Sequence, residues 1–305
     1  MKTNSFQSLC RNTSLTLAGA LTLAAVSTAS QADKAAAVNL KFNNPVEASD
    51  FTYTTGALGP GISSRIVRFA SVATGIDAKV TATPFTGAAP GGTGTDYTFS
   101  GHLPNYSTAA GEPAADLGFK YDIGANRTGK GGLTYQIEFF NTGSNYTTAI
   151  APANFRFLVY DVDGEPAQKE AVRIAKNSGL VSYQLGGNTS SALTFSQNAT
   201  SYLFSGRGVD QLENDSSGAA IFNFDKVNAV TFQFEADTTT SSGTANRVFS
   251  AIDGDLSYLS SFSNGGAASF GAVVAVPEPF TVIGSIIGGT AAFRMRKKLK
   301  ASTKA

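Results

Sequence analysis

The chain has 305 residues, with 32 Gly, 22 Phe, 10 Tyr, one Cys, one His and no Trp. Charged residues make up only 15%, against roughly 25% in an average soluble protein, yet aromatics at 10% exclude a wholly disordered chain. A single Cys excludes a disulfide framework and any multi-cysteine zinc site, a single His excludes a three-histidine metal site, and the absence of sustained heptads excludes a coiled coil.

The formal net charge of +1 conceals an asymmetry. Both ends are basic, whereas the stretch between them, 33–276, holds 15 basic and 21 acidic residues, about −6 in all. Nucleic-acid-binding domains are normally basic, so no nucleic-acid partner is expected.

The N-terminus reads as a secretory signal peptide over residues 1–32. Lys2 and Arg11 give a positive leading region, Leu15 to Val26 form an apolar run of 12 residues, and Ser30-Gln31-Ala32 offers small residues where a signal peptidase cuts. Cleavage is expected after Ala32, with Ala29 as the alternative. The one cysteine, Cys10, lies inside this segment.

Residues 33–263 read as the folded body. Period-two alternation, the signature of a strand with one buried face, recurs at Arg65–Phe69, Lys79–Thr83, Leu117–Ile123, Leu133–Phe140 and Asn154–Val162. It continues at Val181–Leu185, Ala192–Phe195, Ser201–Phe204, Ala220–Phe224, Ala229–Glu235 and Arg247–Ile252. In Ala229–Glu235, Val230, Phe232 and Phe234 point one way and Thr231, Gln233 and Glu235 the other, as in a half-solvated antiparallel strand. Gly, Asn, Ser and Thr clusters separate the runs. Glu165–Lys176 holds at most a helical turn or two. Thr86–Thr95 and Tyr106–Pro113 read as long loops or as a domain boundary, with one domain favoured over two. The pattern predicts an all-β, antiparallel, jelly-roll-like β-sandwich, flanked by a signal-peptide helix and a C-terminal hydrophobic helix.

Asp161-Val162-Asp163-Gly164-Glu165 ends the strongest strand in alternating carboxylates, with Glu170 five residues on. Calcium takes six to eight oxygens, which carboxylates two apart can begin to supply. The spacing is not that of an EF-hand, since Pro166 stands where the loop needs Gly and Val172 where it needs Glu. Asp253-Gly254-Asp255 ends another strand. If both strand ends meet at one pole, Asp161, Asp163, Glu165, Glu170, Asp253 and Asp255 form a calcium site; otherwise Asp163-Gly164 is an acidic turn. Gly124 to Lys130 resembles a phosphate-binding loop, but Gly131 replaces its Ser or Thr and a strand follows where a helix is needed. His102 reads as a loop residue, and no Gly-x-Ser-x-Gly elbow accompanies it. Asn-x-Ser/Thr triplets such as Asn126-Arg127-Thr128 and Asn198-Ala199-Thr200 read as a by-product of Asn/Ser/Thr-rich loops. No catalytic residue is assigned, and a non-enzyme is expected.

Residues 264–275 read as a flexible linker. Over 276–300, Val276-Pro277-Glu278-Pro279 is followed by the apolar run Phe280–Phe293, then by a basic cluster of Arg294, Arg296, Lys297, Lys298 and Lys300. Fourteen helical residues rise about 21 Å, short of a hydrocarbon core of about 30 Å. A short run with a basic stop fits a transient anchor in the inner membrane, its basic end cytoplasmic and the body outside. This tail resembles the PEP-CTERM sorting signal of bacterial envelope proteins, in the version seen in cyanobacteria. The resemblance covers about the last 30 residues. It implies Pro277, Glu278 and Pro279 as the sorting motif, the basic cluster as the stop, and an exosortase-type membrane transpeptidase as processing partner. It says nothing about the body.

The sequence therefore predicts an exported, envelope- or matrix-associated structural or adhesive β-sandwich, contacting exopolysaccharide, with calcium as its one candidate cofactor. The alternative is a secreted carbohydrate-binding module or carbohydrate-active enzyme.

Overall fold

The computed structural model describes residues 37–46, 51–55, 64–86, 97–102, 116–123, 129–165, 168–209, 211–212, 214–238, 246–263 and 269–276. All belong to a compact unit that begins at Ala37. The expected signal peptide with Ala32, both expected flanking helices, Pro277 to Pro279 and the basic cluster lie outside the described residues.

In chain order the strands are β1 (Phe51–Thr55), β2 (Arg65–Ala73), β3 (Ile76–Thr86), β4 (Tyr97–His102), β5 (Asp116–Ile123), β6 (Gly129–Asn141), β7 (Phe155–Tyr160), β8 (Gly164–Glu165), β9 (Gln168–Ala175), β10 (Leu180–Leu185), β11 (Leu193–Gln197), β12 (Ser201–Gly206), β13 (Ala220–Phe224), β14 (Ala229–Thr238), β15 (Asn246–Asp253) and β16 (Val274–Ala275). They form two sheets. The first runs β1-β4-β5-β15-β7-β13-β10-β16; the second runs β11-β12-β9-β14-β6-β3-β2, with β8 added on β9. The strand ladders are antiparallel. Consecutive strands pair in β2–β3, β4–β5, β8–β9 and β11–β12; all other consecutive strands except β15–β16 change sheets. The expected all-β sandwich is thus present.

The core lies between the sheets and is largely phenylalanine. Phe155 of β7 meets Phe139 of β6 edge-on at 5.2 Å, Phe157 meets Phe232 of β14 at 5.4 Å, and Phe222 of β13 meets Phe204 of β12 at 4.6 Å. Edge-to-face contact at such distances is the favoured aromatic geometry. Tyr135 of β6 keeps its hydroxyl satisfied while buried, donating to the Gly118 carbonyl of β5 at 2.6 Å. Residues 37–46 close one end. Leu40 and Phe42 are buried, and their segment hydrogen-bonds to Gly254, Val72 and Arg68.

Three local expectations are corrected. Glu165–Lys176 is mostly strand, not helical turns: Val172 and Ile174 of β9 face the core, and β12 and β14 flank it. Lys, Glu, Ala and Arg favour helix in isolation, but two antiparallel neighbours outweigh that preference. His102 ends β4 opposite Gly118 and is not in a loop. The linker 264–275 is docked in its second half. Val274 and Ala275 pair with Tyr183 and Ser182 of β10, and the next residue, Val276, is buried in the main core.

The first sheet is also covered on its outer face. Leu158 and Tyr160 of β7, Ile221 and Ala251 pack beneath Tyr258, Phe262 and Phe270. Tyr258, in a 3-10 turn at Ser257–Ser261, stacks on Tyr160 at 4.0 Å. At Leu158 and Tyr160, β7 is therefore buried on both faces.

Candidate functional site

The crossover from β7 to β8 carries the expected acidic cluster. Asp161 adopts φ 59° and Gly164 φ 85°, which turns the chain from one sheet to the other. Asp163 is 4% exposed, and both its carboxylate oxygens are engaged: Oδ1 accepts from the Gly164 N–H and Oδ2 from the Gln211 N–H, the latter at 2.5 Å. Glu170 is also 4% exposed. It shares the inward phase of Val172 and Ile174 on β9, so its carboxyl enters the gap between the sheets. There Oε2 accepts from Ser250 Oγ of β15 and from the Asp163 N–H, each at 3.4 Å. Burial pushes the Glu170 carboxyl well above its usual range, and the Asp161 and Asp163 charges push it further. Glu165 lies in β8, beside this crossover.

Asp253 and Asp255 do not join this cluster. β15 runs antiparallel to β7, so the C-terminal ends of the two strands point in opposite directions. Asp253 pairs with Leu158, while Ser250 lies by Asp161. Asp253 instead holds the turn that follows it, accepting from the Asp255 N–H at 2.9 Å and the Tyr258 N–H at 2.7 Å. Burial is the main reason that its carboxyl is pushed up to about 7, with the neighbouring Asp255 charge adding to it. Burial also works to raise Asp255, but hydrogen bonds with Ser257 and Asp253 and the Lys41 ammonium, 3.4 Å away, hold it lower than usual. Among the described residues, no three His, Cys, Asp or Glu side chains are arranged to hold a metal ion. The six-residue calcium set expected from sequence is therefore divided between two places in the fold.

A second candidate lies elsewhere on the surface. Antiparallel register sets Thr134 of β6, Gln233 of β14 and Arg173 of β9 side by side across three strands on the outer face of the second sheet. With Ala175, Thr231, Ser201, Asn198 and Thr200 they line a groove of about 440 Å³. Arg173 is locked in place: Nε donates to Glu235 Oε1 at 2.5 Å, Nη2 to Glu235 Oε2 at 3.1 Å, and Nη1 to Ser201 Oγ at 3.1 Å. Glu235 was expected on the solvated face of its strand; the guanidinium covers it and leaves it 4% exposed. Asn198 fixes the β11–β12 turn, its Oδ1 accepting from Thr200 and Ser201 N–H groups at 2.9 and 2.8 Å. The lining mixes amide, hydroxyl and guanidinium groups with the methyls of Ala175 and of three threonines.

No family model and no curated relative matches this chain. Solved structures do align with it. They include the N-terminal domain of the Streptococcus gordonii adhesin Sgo0707, at 11% identity and a TM-score of 0.38 over 72% of this chain and 64% of that one. The adhesin domain of PrgB from Enterococcus faecalis bound to DNA aligns at 12% identity and a TM-score of 0.36, over 61% of this chain and 66% of that one. A second structure of the PrgB domain aligns at 10% identity and a TM-score of 0.37, over 78% and 97%. The chain thus spans just under two thirds of the first two structures. These likenesses carry no ligand or role over to this chain.

The groove was not singled out by sequence reading. Its polar residues are ordinary outward positions of alternating strands, and only the register between β6, β14, β9 and β12 makes them neighbours. Among the described residues, no helix is long and apolar enough to cross a membrane.

Proposed function

We propose that this protein is exported and displayed at the cell envelope or in the extracellular matrix, where it acts as a structural or adhesive β-sandwich that holds polysaccharide in the groove of its second sheet. The observation that carries the reading is the row Thr134, Gln233 and Arg173, rigidly set across three strands on a solvated sheet face. Polar groups fixed on strands are oriented before a ligand arrives, so little conformational entropy is lost on binding. Residues 1–32 and the tail from Pro277 would take the protein out of the cytoplasm and tether it for processing by an exosortase-type enzyme at Pro277, Glu278 and Pro279. The work is binding, not turnover. Glycoside hydrolysis requires two carboxyl groups flanking the sugar at about 5–10 Å, and the groove's carboxylate, Glu235, is buried beneath Arg173.

Cells displaying the full chain should adhere to immobilised exopolysaccharide, and cells displaying the Arg173→Met/Glu235→Leu variant at equal surface density should not. Equal adhesion by both would remove the groove from the function. Deleting Pro277–Ala305 should release the protein into the medium; unchanged membrane fractionation would remove the sorting role of the tail.

A further inference from the structure

Resting on the reading of the groove as the adhesive site, we infer that its ligand is a neutral, hydroxyl-rich sugar chain and not a polyanion. Among the described residues that line the groove the one cation is Arg173, and Glu235 cancels its charge. Glu235 meets the guanidinium side-on through both oxygens, at 2.5 and 3.1 Å. The groove therefore offers hydrogen bonds without a net charge. An anionic sugar would have to displace Glu235, which is buried and has no water to return to, or bind without an opposite charge.

The donor and acceptor inventory fits hydroxyls. A guanidinium has five N–H groups; two of them serve Glu235 and one serves Ser201, which leaves two for a ligand. Gln233 donates one N–H to Thr134 Oγ1 at 3.4 Å, and its amide keeps a carbonyl and a second N–H. Thr134 and Thr231 each bring a hydroxyl that both donates and accepts, whereas the Thr200 and Ser201 hydroxyls already donate to Asn198 Oδ1 at 3.2 and 3.1 Å and offer a ligand only acceptor capacity. A lining that donates and accepts in roughly equal measure suits sugar hydroxyls, which do the same, whereas a carboxylate or sulfate only accepts. The volume of about 440 Å³ falls in the range of small-ligand sites.

Long-range electrostatics points the same way. The stretch 33–276 carries about −6, so a polyanion is repelled before contact while a neutral chain is unaffected. Among the described residues, no Lys lines the groove to offset that field and no aromatic ring offers a stacking platform. Recognition then rests on hydrogen bonds, which salt does not screen as it screens ion pairs.

The test is calorimetric titration of the full chain in mild detergent with hexasaccharides of neutral glucan, mannan and xylan, and with an oligogalacturonate hexamer, each at low and moderate salt. At least one neutral hexamer should bind, with affinity unchanged within about twofold between the two salt conditions. Oligogalacturonate should bind at least tenfold more weakly. The Gln233→Ala/Thr231→Val variant removes groove groups without touching the Arg173–Glu235 pair; it should melt as the parent does and bind the neutral hexamer at least tenfold more weakly. Preferential, salt-sensitive binding of oligogalacturonate would overturn the neutral assignment while leaving the groove as an adhesive site. Neutral binding that survives the double variant would place the site elsewhere and overturn the inference. Absence of binding to both classes would overturn the adhesive reading of the groove itself.

Discussion

Arg173 and Glu235 are joined across β9 and β14 by a two-pronged ion pair in which the carboxylate is 4% exposed and the guanidinium side chain 25% exposed. The asymmetry of burial sets what each substitution does. Arg173→Ala takes the guanidinium away from a buried carboxylate, which should cost about 3 kcal/mol, the lower end for a broken buried pair because the arginine itself reaches water. Replacing both residues by apolar ones of similar size, Arg173→Met with Glu235→Leu, should recover most of that, to within about 1 kcal/mol of the parent. Urea unfolding of the single and double variants checks both values. A single variant as stable as the parent would mean that Glu235 is rehydrated once the arginine is gone.

Gly206 ends β12 where it runs against the acidic crossover. A Cβ built on it would lie 2.0 Å from the Asp163 carbonyl oxygen and 2.7 Å from the Asp163 carbonyl carbon. Both are backbone atoms, so neither can swing aside as a side-chain end would. Gly206→Ala should therefore push β12 away from the crossover and loosen the Asp163 bond to the Gln211 N–H. A loss of about 2–3 kcal/mol is expected, in the range of overpacked cores. Thermal melts check this, with Gly143→Ala as the reference: nothing lies within 4 Å of a Cβ there, and the cost is only that of its φ of 78°.

The two-sheet architecture was legible because the core strands alternate cleanly. Val230, Phe232 and Phe234 alternate with Thr231 and Gln233, and the first three are buried as the pattern requires. β9 was illegible because six of the eight residues in Gln-Lys-Glu-Ala-Val-Arg-Ile-Ala are good helix formers, and its partners β12 and β14 come later in the chain. The acidic residues were visible as a cluster, but their grouping was not. Asp253 and Asp255 separate from Asp161 and Asp163 because neighbouring antiparallel strands end at opposite poles, a fact of pairing and not of spacing. Arg173 carried no signal of its own. Its role appears only when Gln233 and Thr134 are placed in register beside it.

Glu170 should make the fold sensitive to pH in an unusual direction. Its folded-state carboxyl titrates well above its ordinary value, with burial as the main cause. The folded state therefore holds a proton that the unfolded chain releases. Stability is greatest below the unfolded value of about 4.5 and falls as pH rises towards the folded value, then levels off. Glu170→Gln imitates the protonated form, and its amide can keep an oxygen facing Ser250 and the Asp163 N–H. The variant should be at least as stable as the parent at pH 7 and should lose this part of the pH dependence. Urea midpoints for both proteins from pH 4 to pH 8 measure it; parallel curves would show that Glu170 is ionised in the folded state.

Asp253 adds a second titration of the same sign. Its folded value of about 7 against 3.8 corresponds to about 4 kcal/mol, present in full below pH 3.8 and lost as pH rises to about 7. Asp253→Asn keeps an acceptor oxygen for the Asp255 and Tyr258 N–H groups but cannot ionise. It should be at least as stable as the parent at pH 8 and should lose this part of the pH dependence, as urea midpoints from pH 3 to pH 8 would measure. An unchanged pH dependence in the variant would show that Asp253 does not carry this titration.

The C-terminal end of the described chain is a strap and not a spacer, and that distinction can be measured by truncation. After the turn at Ser257–Ser261, Phe270 packs on the outer face of the first sheet, the Gly271 N–H donates to the Leu185 carbonyl at 2.9 Å, β16 pairs with β10, and Val276 enters the main core with 7% exposure. A chain ending at Val276 keeps all of these contacts and should match the full chain in urea midpoint. A chain ending at Ser263 loses two buried apolar side chains, worth about 1.5–3 kcal/mol each, and uncovers the edge of β10. It should be destabilised by about 3–6 kcal/mol and, with a newly bare strand edge, should self-associate. Val274→Lys separates the two effects. Val274 is 43% exposed, so a lysine there can reach water and should leave stability within about 0.5 kcal/mol. If both truncations unfold at the same urea concentration, residues 269–276 contribute nothing to the sandwich and behave as a linker.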